Sequence, residues 1–242
     1  MKTYGLIGNP VSHSFSEKFF SEKFEREGIE AIYKTFKLEN ISEFQDLLKK
    51  EKNLKGLNVT IPYKEKIIPF LDEVDPQAQK IGAVNTIAFK NGRRIGHNTD
   101  AFGFMKSLFP LIEQHYTHAL ILGTGGAAKA VAQALFSFGI DFKMVSRNPS
   151  ENQLSYDDID KEILSEYFLI INCTPLGTYP NVQESPSLPY DELTERHFLY
   201  DLTYNPAVTQ FLANGQMQHA KIYNGQKMLE YQAEQSWKIW NE

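Results

Sequence analysis

The feature that most constrains the fold of this chain is a glycine-rich turn between an apolar run and a helical pattern. Residues Ala119–Leu122 are typical of a buried strand and continue directly into GTGGAAKA (123–130). Gly123, Gly125 and Ala128 fit the spacing G-x-G-x-x-G/A, in which glycines allow a tight turn and a close approach of the backbone to a pyrophosphate. The following helix N-terminus attracts phosphate. The pattern predicts a dinucleotide-binding turn, although glycine-rich turns also occur as plain helix entries.

The end of the next predicted strand indicates which dinucleotide such a turn binds. An NAD site commonly places Asp or Glu about 20 residues after the turn, where it holds the ribose 2′-hydroxyl. Here Phe142–Val145 is followed by Ser146, Arg147 and Asn148, with no acidic residue at the strand end. A guanidinium matches the oxygens of a 2′-phosphate, so Arg147 favours NADP. The alternative is a solvated arginine after a strand.

Short apolar runs and amphipathic stretches alternate along the chain, which is typical of α/β proteins with parallel sheets. The first series of predicted strands and helices is Tyr4–Ile7, Ser16–Glu27, Ile32–Phe36, Ile41–Glu51, Leu57–Thr60 and Val84–Phe89. Asn91-Gly92 predicts a two-residue hairpin turn. The second series, after a helix that begins at Ala101, has predicted strands at Ala119–Leu122, Phe142–Val145, Phe168–Asn172, Phe198–Leu202 and Lys221–Tyr223, and a last helix from about Gln226 to Trp240.

Composition narrows the class of partner. The net charge of -5 argues against nucleic acid, and no segment approaches the ~18 apolar residues of a membrane span. The N-terminus is interrupted by Gly, Asn, Pro and Ser before the apolar region of a signal peptide could form. The single cysteine, Cys173, excludes an internal disulfide and a multi-cysteine metal site. We therefore expect a cytoplasmic protein that acts on a small molecule, with no membrane or nucleic-acid partner.

Four polar clusters follow predicted strands of the first series, where open α/β sheets place their binding sites. They are NPVSHSFS (9–16), NVTIPYK (58–64), Asn85-Thr86 and Asn98-Thr99-Asp100. Each alone has an ordinary explanation, because Ser and Asn cap helices and form turns. Lys64 is equally explained as a solvated lysine, and His13 as a residue that packs its loop.

Together these clusters and the glycine-rich turn resemble the shikimate dehydrogenase family over almost the full length of the chain. The motifs, in family order, are GNPVSHSFS (8–16), NVTIPYK (58–64), GAVNT (82–86), NTDAFG (98–103), GTGGAAKA (123–130), SRN (146–148), NCTPLG (172–177), YDLTYNP (200–206) and NGQKMLEYQ (224–232). The resemblance implies an α/β fold of two domains, with the active site in the cleft between them. The substrate-binding domain is residues 1–100 plus 226–242, and the Rossmann-type NADP-binding domain is residues 101–225.

The resemblance also implies an activity and a role for individual residues. The activity is the NADPH-dependent, reversible reduction of 3-dehydroshikimate to shikimate, a step of aromatic amino-acid biosynthesis through chorismate. Lys64 and Asp100 match the catalytic pair. The substrate-binding positions are Ser14 and Ser16 for the carboxylate, Thr60, Asn85 and Gln232 for the ring hydroxyls, and Tyr204 near the carboxylate. The cofactor-binding positions are Gly123, Gly125, Gly126 and Ala127 at the phosphates, Arg147 at the 2′-phosphate, and Thr174, Gly225 and Met228 along the nicotinamide half. No metal is implied, because the cofactor carries the redox chemistry.

Departures from the family pattern leave alternatives open. Phe15 stands where lysine is common, Asn148 stands where threonine is frequent, and no second basic residue follows Arg147 closely. One alternative is therefore a broader quinate/shikimate dehydrogenase that uses NAD or NADP, although Ser16 favours shikimate because quinate-preferring relatives commonly carry threonine there. The other is a non-catalytic NADP-binding sensor, which the presence of both Lys64 and Asp100 disfavours. The sequence is compatible with a monomer or a homodimer.

Overall fold

The structure, a computed structural model that describes residues 1–11 and 14–242, divides into two units. The first unit is residues 1–102 with 232–242, and the second is residues 103–231. Each unit has its own β-sheet with helices packed against it, which confirms the predicted α/β class. The predicted assignment of the substrate to one domain and of NADP to the other, with the site between them, stays a prediction.

The sheet of the first unit is mixed, whereas the alternation of apolar runs favoured parallel pairing. Its strands are β1 (Lys2–Gly8), β2 (Ala31–Lys37), β3 (Leu54–Val59), β4 (Glu73–Val74), β5 (Thr86–Lys90) and β6 (Arg93–His97), in the order β2-β1-β3-β5-β6-β4. β1 is parallel to β2 and β3, but β5 is antiparallel to both β3 and β6. A two-residue connection joins only antiparallel neighbours, which accounts for the β5–β6 pair.

That hairpin has the turn chemistry predicted for it. Asn91 and Gly92 both have positive φ, 51° and 76°, and Lys90 pairs with Arg93 across the turn. Positive φ at both central residues defines the type I′ turn, whose twist matches that of the flanking strands. Asn and Gly adopt this conformation at low cost, which is why the dipeptide predicts the hairpin.

The helices of the first unit are α1 (Phe15–Glu27), α2 (Phe44–Lys50) and α3 (Pro76–Ile81), with most of α8 (Gln226–Asn241). Residues Ile41–Glu43, predicted as the start of α2, form a separate 3-10 turn capped by Asn40. α3 was not predicted, because six residues are too few to show a helical period. Its start is nevertheless encoded: Asp75 accepts hydrogen bonds from the backbone N–H groups of the first turn, and Pro76 fits the first helical position.

Aromatic side chains join α1 and α8 to one face of the first sheet. Tyr4 on β1, Phe20 and Phe24 on α1, and Trp237 and Trp240 on α8 have ring centroids 5.0–6.4 Å apart in neighbouring pairs. Aromatic pairs at such distances add to the stability that burial alone provides. The opposite face of the sheet carries a separate hydrophobic cluster that includes residues of α2 and α3.

The second unit is a parallel, doubly wound sheet of the Rossmann type. Its elements are most of α4 (Asp100–Leu108), then β7 (His118–Leu122), α5 (Gly126–Phe138), β8 (Asp141–Val145), α6 (Lys161–Glu166), β9 (Leu169–Asn172), β10 (Phe198–Asp201), α7 (Gln210–Met217) and β11 (Lys221–Tyr223). The strand order is β11-β10-β9-β7-β8, and every pair is parallel. The chain moves outward from β7 to β8 and then returns to the other side of β7. Among residues 1–11 and 14–242, no helix is long and apolar enough to cross a membrane.

The close packing of α8 against β3 leads to a testable prediction. A Cβ atom at Gly56 would overlap the indole of Trp240, whose Nε1 donates to the carbonyl oxygen of Ile87 at 3.0 Å. Gly56→Ala therefore forces the indole away from the sheet and should lower the free energy of unfolding by about 1–3 kcal/mol. Urea denaturation measures the change. Lys55→Ala, at the exposed neighbouring position, should change it by less than about 0.5 kcal/mol; equal stabilities of the two variants would contradict the prediction.

Candidate active site

The loops that follow β1 and β3 meet at the carboxyl-terminal edge of the first sheet. The backbone N–H of Thr60 donates to Ile7 O, and that of Asn9 donates to Ile61 O, each at 2.9 Å. The first loop leads to Ser14, the N-cap residue of α1. The structure thus pairs the loop before the predicted carboxylate-binding residues with the segment that begins at Thr60. His13 lies outside the residues that the structure describes.

Lys64 and Asp100 form an ion pair, although 36 residues separate them in sequence. Lys64 Nζ donates to Asp100 Oδ2 at 2.6 Å, and the two side chains are 16% and 8% exposed. Asp100 is the first residue of α4, where the helix dipole favours a carboxylate. Both residues were predicted from the sequence, and the structure adds their direct contact.

The side chain of Asn85 holds the other oxygen of Asp100. Its Nδ2 donates to Asp100 Oδ1 at 2.8 Å and lies 2.9 Å from Thr99 Oγ1. Its Oδ1 accepts from the backbone N–H of Thr99 at 2.7 Å. All three residues are buried. The two oxygens of Asp100 therefore have different partners, Lys64 and Asn85, and this fixes the plane of the carboxylate.

The backbone around Asn85 also anchors both members of the ion pair. The N–H of Val84 donates to Lys64 O at 2.7 Å, and Ala83 O accepts from Asn98 Nδ2 at 2.9 Å. Asn98 Oδ1 in turn accepts from the N–H of Ala101, in the first turn of α4, at 3.2 Å. Asn98 therefore ties the start of the helix that carries Asp100 to the segment that holds Lys64.

Gln232 reaches this group from α8. Its Oε1 lies 3.5 Å from Asn85 Nδ2 and 3.4 Å from Thr99 Oγ1, and the side chain is buried. These are long hydrogen bonds. The structure thus brings together four residues predicted from separate motifs, namely Lys64, Asn85, Asp100 and Gln232.

Ser236, one turn after Gln232, was not predicted. Its Oγ lies 2.8 Å from Thr86 Oγ1, 3.2 Å from Thr99 Oγ1 and 3.0 Å from Asn58 Nδ2, which donates to it. The residue is fully buried. Ser236 therefore pins α8 to β3 and β5 next to Gln232. The spacing of four between the two residues is a signal that could have found it.

A buried tyrosine connects Ser16 to this polar network. Tyr33 OH donates to Asn58 Oδ1 at 2.8 Å, and its hydroxyl is also hydrogen-bonded to Ser16. Burial raises the pKa of Tyr33 above its usual range, which keeps the hydroxyl a donor. Since Asn58 also bonds Ser236, hydrogen bonds link the first turn of α1 with α8. Tyr33 lies in the middle of an edge strand, so its sequence context gave no signal of this role.

In the second unit the glycine-rich turn follows β7 as predicted. Gly123 has φ +109°, a conformation that favours glycine, and a Cβ there would lie 3.4 Å from Thr174 Cγ2. Gly125 is the N-cap of α5, and a Cβ there would meet nothing within 4 Å. Open space therefore lies before the first turn of a 13-residue helix, whose leading N–H groups have no partner within the helix. Gly126 and Ala127 belong to that turn, so the site fits a phosphate group.

The predicted cofactor residues lie at one edge of the second sheet. The glycine-rich turn follows β7, Arg147 follows β8, and Thr174 follows β9, and these three strands are parallel neighbours. The strand order reverses at β7, and open α/β sheets bind ligands at such a point, outside the carboxyl ends of the strands. Arg147 is exposed there.

Tyr204, Gly225 and Met228 follow β10 and β11, on the far side of β9 from the glycine-rich turn. A Cβ at Gly225 would overlap the backbone of Leu202, and the N–H of Gly225 donates to Thr203 O at 3.1 Å. Close backbone approach therefore explains this glycine. Met228 is buried in the apolar cluster of the second unit, and Tyr204 is half-buried in the turn after β10.

Comparison with known proteins gives the family. The family model of the shikimate dehydrogenase substrate binding domain matches residues 6–87. Shikimate dehydrogenase (NADP(+)) of Clostridium botulinum (strain Hall) is 38% identical over 251 residues, which cover 99% of this chain and 96% of that protein. The enzyme of Carboxydothermus hydrogenoformans is 37% identical over 255 residues, which cover 99% of this chain and 91% of that protein.

Solved structures agree with these relatives. Shikimate dehydrogenase from Aquifex aeolicus superposes with a TM-score of 0.89 at 35% identity, covering 100% of this chain and 92% of that chain. The enzyme of Thermus thermophilus, in complex with NADP(H) and shikimate, superposes with a TM-score of 0.87 at 32% identity. The superposition covers 99% of this chain and 93% of that chain. On full-length similarity in both sequence and fold, this chain belongs to the shikimate dehydrogenase family.

Proposed function

We propose that this chain catalyses the NADP(H)-dependent, reversible reduction of 3-dehydroshikimate to shikimate. The observation that carries the proposal is the 2.6 Å contact between Lys64 Nζ and Asp100 Oδ2, held by Asn85 and adjoined by Gln232. Relatives named shikimate dehydrogenase (NADP(+)) support it. The Thermus thermophilus enzyme, crystallised with NADP(H) and shikimate, supports the same pair of ligands.

The chemistry assigns separate tasks to Lys64 and Asp100. Reduction of a ring ketone adds a hydride to carbon and a proton to oxygen, and NADPH, when bound, supplies the hydride. Lys64 Nζ donates the proton to the ketone oxygen and stabilises the negative charge that develops on it. Asp100 accepts a hydrogen bond from Nζ and thereby orients it. In the reverse direction Lys64 takes the proton from the substrate hydroxyl.

The start of α1 supplies a site for the substrate carboxylate. Ser14 is the N-cap residue and Ser16 lies in the first turn of this 13-residue helix. Helix N-termini attract anions through their N–H groups and dipole, and the two hydroxyls add donors. Thr60, Asn85 and Gln232 hold the ring hydroxyls, and the family motif assigns Tyr204 to the carboxylate as well. Serine rather than threonine at position 16 supports shikimate over quinate.

NADP(H) is the proposed cofactor, and the residues present fit it. Gly123, Gly125, Gly126 and Ala127 form the open turn and helix start that suit a pyrophosphate. Arg147 binds the 2′-phosphate of the cofactor. The nicotinamide half of the cofactor site is lined by Thr174, Gly225 and Met228.

Lys64→Ala tests the proton transfer. Loss of a general acid–base group should lower kcat for shikimate oxidation by roughly 10²–10⁴-fold, with far less change in KM. Turnover is measured as NADPH absorbance at 340 nm with purified protein. Lys66→Ala is a matched control, because Lys66 is exposed two residues away, and should retain wild-type turnover. Near-normal turnover of Lys64→Ala would remove Lys64 from the mechanism, and inactive wild-type protein would refute the function.

Arg147→Ala tests the choice of cofactor. The guanidinium of Arg147 can make two charge-assisted hydrogen bonds to a 2′-phosphate, so its loss should raise KM for NADP by roughly ten- to a hundredfold and leave KM for NAD nearly unchanged. Arg196→Ala is the control, because it removes an arginine that precedes β10, at the opposite edge of the same sheet. It should change neither KM. Equal use of NADP and NAD by the wild type would contradict the role of Arg147.

Asn98→Ala tests the support of Asp100. Without the Asn98 side chain, Ala83 O loses its hydrogen-bond donor and the first turn of α4 loses its hydrogen bond to this segment. Asp100, at the start of α4, then orients Lys64 less well. We expect kcat to fall by about tenfold, equivalent to about 1.4 kcal/mol, while KM for NADP stays within twofold. Steady-state kinetics with a thermal melt provide the measurement, with exposed Asn53→Ala as control. A lowered melting temperature with unchanged kcat would limit Asn98 to a role in stability.

A further inference from the structure

A buried carboxylate, Asp201, lies at the end of β10 and has no part in the proposed chemistry. It is 0% exposed. Its Oδ1 accepts from Asn172 Nδ2 at 3.1 Å and from the N–H of Thr203 at 2.9 Å, and its Oδ2 accepts from Thr209 Oγ1 at 2.6 Å. Burial raises the pKa of Asp201 to about 6. Burying a carboxylate costs free energy, so the presence of Asp201 at this position requires an explanation.

The three partners determine what the side chain of residue 201 has to offer. Asn172 Nδ2 and the N–H of Thr203 can only donate, so the Oδ1 atom that they share must be an acceptor. The Thr209 hydroxyl donates to Oδ2, but a hydroxyl can also accept. The contact that holds the Asn172 amide is therefore the one to Oδ1.

One of these donors connects Asp201 to the predicted cofactor residue Thr174. Asn172, fully buried at the end of β9, offers Nδ2 to Asp201 and directs its Oδ1 to the loop that follows. That Oδ1 accepts from the N–H of Thr174 at 3.0 Å and from its Oγ1 at 2.7 Å. Asp201 holds the NH2 end of the Asn172 amide, and the oxygen of the same amide holds the N–H and hydroxyl of Thr174, so the carboxylate positions Thr174 through Asn172.

A second donor connects Asp201 to the loops after β10 and β11. Thr203 donates its N–H to Asp201, and its carbonyl oxygen accepts from the N–H of Gly225 at 3.1 Å. Its Oγ1 lies 3.1 Å from Thr178 Oγ1, in the loop after β9. A single carboxylate thus joins the three loops that carry Thr174, Tyr204 and Gly225.

We propose that Asp201 is a positioning residue for the nicotinamide half of the cofactor site, acting through Asn172 on Thr174. The inference rests on the proposed function only in taking NADP(H) as the ligand. Asp201 touches neither substrate nor reacting atoms in this role. It holds the loop on which the nicotinamide-lining threonine sits.

Calorimetric titration with two probes tests the proposal. NADPH contains the nicotinamide, whereas 2′,5′-ADP carries only the adenosine half with its 2′-phosphate. Asp201→Ala removes the acceptor of the Asn172 amide, and it should weaken NADPH binding by about tenfold and leave the Kd for 2′,5′-ADP within twofold of wild type. Asn172→Ala should have a similar effect, and the double variant should bind NADPH no more weakly than Asn172→Ala alone, because both changes interrupt one chain of contacts.

Thr209→Val provides the matched control. It removes the hydrogen bond to the other oxygen of Asp201 and the N-cap of α7, and it keeps the size of the side chain. This variant should lower the melting temperature but bind both probes like the wild type. The control separates loss of stability in the Asp201 cluster from loss of the connection to Thr174.

Three results would overturn the proposal. They are unchanged NADPH affinity in a folded Asp201→Ala variant, an equal loss of affinity for 2′,5′-ADP, and an equal loss of NADPH affinity in Thr209→Val. Failure of the proposed function gives a different result. Wild-type protein that binds NADPH but does not oxidise shikimate refutes that function and leaves the affinity comparison valid, whereas wild-type protein that does not bind NADPH refutes both.

Discussion

The geometry of the Lys64–Asp100 ion pair depends on the side chain of Asn85. A buried amide that lacks its hydrogen bonds costs roughly 1–3 kcal/mol, and Asn85 satisfies its polar atoms by binding Asp100 and Thr99. The neighbouring backbone holds the Lys64 segment and, through Asn98, the first turn of α4. The orientation of the Lys64–Asp100 pair is therefore set by the protein's own hydrogen bonds.

The second unit relies on a different constraint, the order of its parallel strands. The reversal at β7 leaves the turns after β8, β7 and β9 at one edge, with the start of α5 among them. Within this frame the Asp201 carboxylate joins the loops after β9, β10 and β11. Both units thus use a buried carboxylate whose partners are donors on different elements: Asp100 in the first, and Asp201 in the second.

Prediction from the sequence succeeded where the signal is local. The strand–turn–helix at Gly123 and the hairpin at Asn91-Gly92 require backbone conformations with positive φ. Glycine and asparagine adopt these conformations at low cost, whereas most other residues do not. Helix α3 was missed because it is short, and the first sheet is mixed because β5 is antiparallel to both of its neighbours, β3 and β6. Tyr33, Ser236 and Asp201 were missed because each is hydrogen-bonded to a residue distant in sequence, and only Ser236, four residues after Gln232 on the same helix, had a local signal.

By itself the sequence determined the α/β class and the Rossmann-type second unit, since these depend on short-range periodicity and turn chemistry. The resemblance of its motifs to the shikimate dehydrogenase family indicated the candidate site residues. Only the tertiary structure decided which of them touch. Lys64 and Asp100 are 36 residues apart, and Asn85 and Gln232 are 147 residues apart. Their contacts depend on strand pairing and on the packing of α8 against β3 and β5. Such contacts arise from the burial of surfaces contributed by many residues, and no local pattern along the chain specifies them.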